Sequence, residues 1–432
     1  MISCHAMAKP SRLIAFYLPQ YHPIPENDEW WGEGFTEWRN VSKAKPLFSG
    51  HYQPHVPADL GYYDLREEDT RVAQAELAKE YGVEGFCYYH YWFNGRRLLE
   101  RPLEEVLKSQ KPDFPFCICW ANENWTRRWD GEEQQVLMKQ EYSEADDRAH
   151  IRSLIPVFED KRYIRIDGKP LFLVYRTENM PDPARTAEIW REEARNAGIG
   201  ELYLCRVESI GRCDPHEINF DAALEFAPDW MSRGGRLTPN SESPLAPGET
   251  MGKVCKNNSV HSYQELADNM LAKEIPEYQW FRCVTPSWDN CARRKKNASI
   301  FVGSTPQIYG DWLHGAIDIT RACLSGDERI IFINAWNEWA EGNHLEPDQM
   351  HGLAYLEATR KALEDGWQSG QADEGGEYEL VRYRYQIKML EGRVARRDQA
   401  MKDLLQSTSW RITVPLRWVK QCLLDIKNRF SD

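Results

Sequence analysis

The sequence is short of positive charge: 54 Lys and Arg stand against 67 Asp and Glu, for a formal net charge of −13. Nucleic acid is therefore a poor candidate for the main partner, because binding phosphates needs a basic surface. The 11 Cys are odd in number, scattered, and form no C-x-x-C pair, so neither a disulfide framework nor a zinc site is suggested. Cys87, Cys117, Cys119, Cys205 and Cys283 sit inside apolar runs and read as small buried hydrophobes. No apolar run reaches the ~18 residues of a spanning helix, and residues 1–12 contain no signal-peptide core. The expectation is a reduced, cytoplasmic protein.

What is abundant is aromatic. Hydrophobic residues make up 42% of the 432 positions, enough for a full-sized core, and the chain carries 17 Trp and 20 Tyr. Such rings either fill a core or serve as platforms for the apolar faces of sugars. Where they cluster decides between the two.

Short apolar runs alternate with longer helical patterns. The runs are Leu13–Leu18, Gly85–Tyr91, Phe114–Trp120, Pro170–Tyr175, Leu202–Val207, Ala222–Phe226, Trp280–Thr285 and Ile330–Ala335. Helical periodicity falls at about 67–80, 99–109, 144–159, 184–197, 262–273, 310–324 and 352–364, while the connection at 213–219 is short and weakly helical. This alternation predicts an α/β protein, a closed (β/α)8 TIM barrel. The competing doubly wound sheet wants a Gly-rich phosphate turn after its first strand. Here that turn is Pro19-Gln20-Tyr21-His22-Pro23, which cannot cradle a pyrophosphate.

In such a barrel the active site lies at the C-terminal ends of the strands. Aromatic, amide and acidic residues gather there, whereas a pure core role would spread them along both ends. The first strand and its loop offer Tyr17, His22, Trp38, Gln53 and His55 as substrate-binding candidates. The second offers Tyr89, His90 and Trp92, and the third Trp120, Asn122, Glu123 and Trp125. Trp288 and Asp289 follow the seventh, Trp336 and Asn337 the eighth. The first and sixth loops, about 19–64 and 228–260, are long enough to be binding walls or lids. His51 and His55 are four apart, a metal spacing only on a helix, and Pro54 argues against one there. No metal or cofactor is expected.

The segment Asn334–Pro347 reads NAWNEWAEGNHLEP. On a helical turn Glu338 and Glu341 would project to one side with Cβ atoms about 5–6 Å apart. That suits the carboxyl separation of about 5–5.5 Å used in retaining glycoside cleavage. Bond cleavage needs one protonated carboxyl for the leaving oxygen and one ionised partner, and mutual repulsion supplies that asymmetry. An isolated E-x-x-E is usually an ordinary first turn; flanked by Trp336 and Trp339 at a barrel mouth, it is the catalytic candidate. Glu346 reads as a supporting residue.

Four stretches carry a family resemblance: WGEGFTEW (Trp31 to Trp38), HYQPH (His51 to His55), CWANENW (Cys119 to Trp125) and NEWAEG (Asn337 to Gly342). Together they resemble the WbsX group of bacterial surface-polysaccharide proteins, tied to O-antigen and lipopolysaccharide synthesis, over about Arg12 to Glu364. That group is similar to glycoside hydrolase family 99, the endo-α-mannosidases and endo-α-mannanases. The resemblance implies a retaining reaction in which Glu338 is the base on the sugar 2-hydroxyl, giving an epoxide-like intermediate, and Glu341 the acid, then the base. Spacing does not separate this from direct attack by Glu338. The WbsX label is glycosyltransferase, yet the chain has no D-x-D after an apolar strand and no Gly-rich turn for a sugar nucleotide. Bond formation would then proceed by transglycosylation or from a lipid-linked donor.

The chain divides into a leader (1–11), the barrel (12–365), a linker (366–379), a helical or coiled-coil segment (380–406) and a basic amphipathic tail (407–432). In the fourth, Leu380, Tyr383, Ile387, Leu390, Val394, Met401 and Leu404 fall at 3–4 spacing, a candidate oligomerisation seam. In the tail, Trp410 and Trp418 accompany Arg417, Lys420, Lys427 and Arg429, which suits an anionic membrane surface at the inner face of the cell membrane or packing on a partner helix. Three functions follow: a retaining glycosidase or transglycosidase acting on mannose-like linkages of an oligosaccharide or lipid-linked glycan, a transferase using an activated sugar donor, or an inactive glycan-binding scaffold. The intact glutamate pair weighs against the last.

Overall fold

The computed structural model describes residues 11–127, 132–237, 254, 257–294, 296–364 and 401–402. The leader apart from Ser11, and the linker, coiled-coil segment and tail apart from residues 401–402, lie outside this range. The apolar runs form eight strands: β1 (Arg12–Tyr17), β2 (Val83–Phe93), β3 (Phe116–Trp120), β4 (Lys169–Val174), β5 (Tyr203–Glu208), β6 (Ala222–Glu225), β7 (Trp280–Val284) and β8 (Ile330–Ile333). Each pairs in parallel with the next, and β8 pairs with β1, so the sheet closes. Closure without a free edge is the (β/α)8 barrel and excludes the open doubly wound sheet.

The outer ring is α1 (Glu68–Glu80), α2 (Arg101–Ser109), α3 (Glu144–Phe158), α4 (Pro183–Asn196), α5 (Tyr263–Leu271), α6 (Pro306–Cys323) and α7 (Ala354–Glu364). The weak fifth connection is a single 3-10 turn, Pro215–Ile218. Local chemistry starts these helices. Ser143, Asp182, Ser262 and Thr305 each accept a backbone N–H three residues on, and Pro183 and Pro306 occupy first-turn positions where a missing N–H costs nothing.

Strand alternation sorts the side chains into barrel interior and helix-facing layer. Phe16 points inward and stacks on Tyr89, with 5.3 Å between ring centroids, and it also meets Phe226 and Phe332. Its neighbour Tyr17 faces out and donates to Gln74 Oε1 of α1 at 2.7 Å. The interior is thus capped near its top by rings, which form the floor of whatever lies above.

The loops hold structure that apolar runs do not signal. β2 continues into a hairpin with Arg96–Leu98, and Trp125–Arg127 pairs antiparallel with Glu132–Met138 in the third loop. Ser259–Ser262 and Ser299–Val302 join the sixth and seventh loops as a parallel pair. No helix among the described residues is long and apolar enough to cross a membrane.

Candidate active site

Beyond β8 the chain does not enter a helix, as the spacing of Glu338 and Glu341 suggested. Asn337–Glu338 pairs antiparallel with Asn343–His344, and Trp339–Glu341 makes one 3-10 turn between them. Gly342 closes the turn at φ +57°, and a Cβ there would lie 3.1 Å from Asp289 Cβ, N and O. Both the left-handed backbone and the close approach require glycine.

This tight turn brings Glu338 and Glu341 onto one guanidinium. Arg293 Nη2 lies 2.8 Å from Glu338 Oε2, Nη1 lies 2.7 Å from Glu341 Oε1, and Nε lies 2.8 Å from Glu37 Oε1. Three carboxyls therefore surround one cation contributed by the seventh loop. Burial works against the charge on Arg293, but the three glutamates outweigh it and keep it fully protonated. Burial is also the main force on the two candidate catalytic groups. It lifts Glu338 to about 8 against the pull of Arg293, with Glu341 and Glu37 adding repulsion, and it lifts Glu341 in the same direction. The pair is built to hold a proton at neutral pH.

Arg293 is positioned through Asp289. The Asp289 carboxylate caps the 3-10 turn Asn290–Ala292 that precedes Arg293, accepting Cys291 N–H at 3.0 Å. Its backbone N–H donates to Glu341 O at 2.6 Å. Its Oδ2 accepts from Gln53 Nε2 at 2.8 Å and from His51 Nε2 at 2.6 Å. His51 Nδ1 accepts the Leu47 N–H, which fixes the tautomer with hydrogen on Nε2. Burial opposes the Asp289 charge, yet these donors hold its carboxyl below the usual range.

Above the barrel floor lies a cleft of about 440 Å³ that includes Glu338, Glu341 and Arg293. Of the sequence-predicted residues, Tyr89, Glu123, Trp125 and Trp288 also line it. Glu123 accepts from Arg176 Nε at 3.1 Å, and Trp288 meets Trp230 edge to face.

The remaining candidates stand behind the wall. Asn337 clasps Leu18 through both its amide atoms, and Trp336 is fully buried against Phe86. Trp38 donates to Tyr63 O, and Trp120 to Trp92 O. Trp92 in turn donates to Asp146, while His90 meets His150 at 2.9 Å. Asn122 bonds Tyr142 and the Arg176 backbone. Tyr17 faces α1, and His22 is buried, where loss of solvation lowers it to about 4. Gln53 donates to Asp289, which caps the turn preceding Arg293, and His55 turns to His344 at 2.7 Å. The histidines four apart thus take different partners.

Sequence reasoning missed Glu37, Arg293, Tyr91 and Tyr175 as cleft or site residues, along with Trp31, Arg176, Trp230 and Arg294. Glu37 lay inside the WGEGFTEW stretch and could have been singled out there. Arg293 opens a polar Arg-Arg-Lys-Lys run with no local signal.

A family model described as "Glycosyltransferase WbsX" matches residues 13–359. Two proteins called "Uncharacterized protein WxcX", from Xanthomonas campestris pv. campestris strains B100 and ATCC 33913, are each 46% identical over 354 residues. That alignment covers 82% of this chain and 50% of theirs, so the chain spans about half the length of the curated relatives it matches. Among solved structures, a "Glycoside hydrolase-like protein" aligns at TM-score 0.51 and 14% identity, covering 82% of this chain and 94% of that one. A family 99 endo-α-mannosidase from Bacteroides thetaiotaomicron aligns at TM-score 0.48 and 15% identity, covering 86% and 98%.

Proposed function

The chain belongs to the WbsX glycosyltransferase family, and from that premise we propose that it is a carbohydrate-active enzyme of bacterial surface-polysaccharide assembly. Its reaction is a retaining hydrolysis or transglycosylation carried by Glu338 and Glu341. The observation that carries this reading is the meeting of both glutamates on Arg293 in an aromatic-walled cleft.

The roles follow from where protons must go. Glu341 gives its proton to the glycosidic oxygen as the bond to the anomeric carbon breaks. Glu338 takes the proton of the sugar 2-hydroxyl, whose oxygen bonds to that carbon and forms the epoxide-like intermediate. Glu341 then deprotonates the incoming water or sugar hydroxyl, which opens the ring at the anomeric carbon, and Glu338 returns its proton to the 2-oxygen. Burial alone favours a proton on Glu338. Substrate reverses that preference, because a donating 2-hydroxyl stabilises ionised Glu338 and an accepting glycosidic oxygen stabilises protonated Glu341. Tyr89, Trp125 and Trp288 line the cleft and bring aromatic surface to the sugars.

A second reading, transfer from an activated donor, is favoured by the family description and by Arg233 and Arg294 on the cleft wall, cations suited to a diphosphate. One experiment separates the two. Wild type and Glu341→Gln are incubated with α-mannose-type oligosaccharides and, separately, with sugar nucleotides, and products are followed by mass spectrometry. Cleaved or re-joined oligosaccharide, absent with the variant, supports the glutamate-pair reading. Nucleotide release with chain extension moves the protein to the transferase reading. Full activity in the variant removes Glu341 from the mechanism.

A further inference from the structure

Behind the cleft, on the other side of the eighth loop, a second cavity of about 260 Å³ opens between the first, seventh and eighth loops. Four histidines, His51, His55, His344 and His351, and two aspartates, Asp289 and Asp348, line it. The proposed reaction uses none of His55, His344, His351 or Asp348. His51 is already committed at both ring nitrogens, to Leu47 N–H and to Asp289. The other cluster is different.

We propose that His55, His344 and Asp348 form a binding site for one divalent transition-metal ion of the zinc class, which fastens the first loop to the eighth. All three residues are buried, and their donor atoms lie within 4.8 Å of one another. His344 Nδ1 lies 2.9 Å from Glu346 O, so that nitrogen carries the hydrogen and Nε2 presents its lone pair toward the cluster. A backbone carbonyl that fixes the far nitrogen of an imidazole is the usual support of a metal-bound histidine. Asp348 is anchored likewise: Oδ1 accepts the N–H groups of Met350 and His351, at 2.9 and 2.6 Å, and Oδ2 lies between His351 Nδ1 at 3.4 Å and His344 Nε2 at 3.9 Å. Stacking holds both rings, His344 on Trp339 at 3.7 Å and His55 on Tyr52 at 4.2 Å.

Two of the three ligand–ligand edges call for only small movements, and the third lies within 4.8 Å. Tetrahedral ligands at about 2.0–2.1 Å from zinc stand roughly 3.3 Å apart. His55 Nδ1 and His344 Nε2 are 2.7 Å apart, and His344 Nε2 and Asp348 Oδ2 are 3.9 Å apart. One edge opens and the other closes by roughly 0.6 Å, within reach of side-chain rotation. Without an ion, His55 Nδ1–H donates to His344 Nε2. On binding, that proton shifts to His55 Nε2, so both imidazoles remain neutral and both give a lone pair to the ion. Backbone hydrogen bonds already run alongside, from Gln349 N to Val56 O and from Ala58 N to Pro347 O, each 2.9 Å. The ion would fasten a junction that the backbone has aligned. Two imidazoles and one carboxylate suit zinc, and the cavity leaves room for water as fourth ligand.

The test uses the full chain, stripped with chelator and titrated with Zn²⁺ and then Co²⁺. The expected result is one ion per chain, a raised Tm with Zn²⁺, and Co²⁺ ligand-field bands of low coordination without thiolate charge transfer. Asp348→Asn keeps the backbone contacts through its remaining oxygen and should weaken binding at least tenfold. His55→Ala should abolish the cobalt bands. No stoichiometric binding, thiolate bands from cysteine ligation, or unchanged affinity in both variants would overturn the site.

Discussion

The eighth loop shows two buried carboxyls with opposite surroundings. Glu338 faces the cleft and shares Arg293 with Glu341 and Glu37. Glu346 faces the barrel wall and accepts three neutral donors: Trp339 Nε1 at 2.6 Å, Tyr63 Oη at 2.7 Å and Gln74 Nε2 at 2.6 Å. Burial lifts both acids, Glu338 to about 8 and Glu346 to about 7. A displaced pKa therefore does not distinguish a reacting group from a structural one. The two acids differ instead in that Glu338 reaches the cleft and shares its cation with two other acids.

Exchanging each acid for its amide should break the symmetry. Glu338→Gln and Glu341→Gln are expected to cost about 10²–10⁴-fold in kcat/KM. Glu346→Gln should cost less than about tenfold, or about 1.4 kcal/mol. Stability moves differently. A carboxyl raised above its unfolded value of about 4.5 contributes stability that is complete below that pH and is lost as pH rises through the folded value. Wild type should therefore lose this contribution between about pH 4.5 and 8. Glu346→Gln should flatten the part ending near 7, and Glu338→Gln the part ending near 8. Tm measured against pH for the three proteins checks this. An inactive Glu346→Gln with an unchanged Tm profile would place Glu346 in the chemistry.

Arg293→Met probes the cation instead of the acids. In the proposed mechanism the pair needs one proton, so the alkaline limb of kcat/KM in wild type should fall near 8, where Glu338 loses its own. Removing the positive charge makes both carboxyls harder to ionise, so the limb should move to higher pH. Activity at neutral pH should fall about 10–100-fold, since the glutamates lose the group that aligns them. A limb that moves down, or stays in place, would detach Arg293 from their titration.

The barrel was legible because its strands are buried on both faces and read as continuous apolar runs, from Leu13–Leu18 to Ile330–Ala335. Glu338 and Glu341 were legible through their spacing and the tryptophans beside them. Their local shape was not, since a 3-10 turn inside a two-residue β-pair has the same i,i+3 spacing as a helix. The aromatic pile-up at the strand ends was read as one binding surface, yet the structure divides it. Tyr89, Trp125 and Trp288 face the cleft, while Trp38, Trp92, Trp120 and Trp336 hold the loops behind it. Period-two alternation near a barrel rim does not reveal which rings end up in front. Arg293 and the pairing of His55 with His344 were illegible because their partners come from loops far away in sequence.

The smallest expected effect comes from Gly342, the pivot between the two faces of this loop. Its φ of +57° costs an L-residue about 1–2 kcal/mol, and an added Cβ would press on Asp289 Cβ, N and O at 3.1 Å. Gly342→Ala should thus loosen the bond from Asp289 N–H to Glu341 O, through which the seventh loop holds Arg293 against the pair. The expected outcome is a Tm lower by about 2–4 °C per kcal/mol lost. A several-fold fall in kcat should accompany it, with the alkaline limb moving less than in Arg293→Met because every charge around Glu338 remains. Glu346 lies beyond the turn with its own donors, so its share of the stability profile should survive the substitution. If that share were lost while kcat held, the turn would support the barrel wall, and the contrast between the two acids would have to be drawn elsewhere.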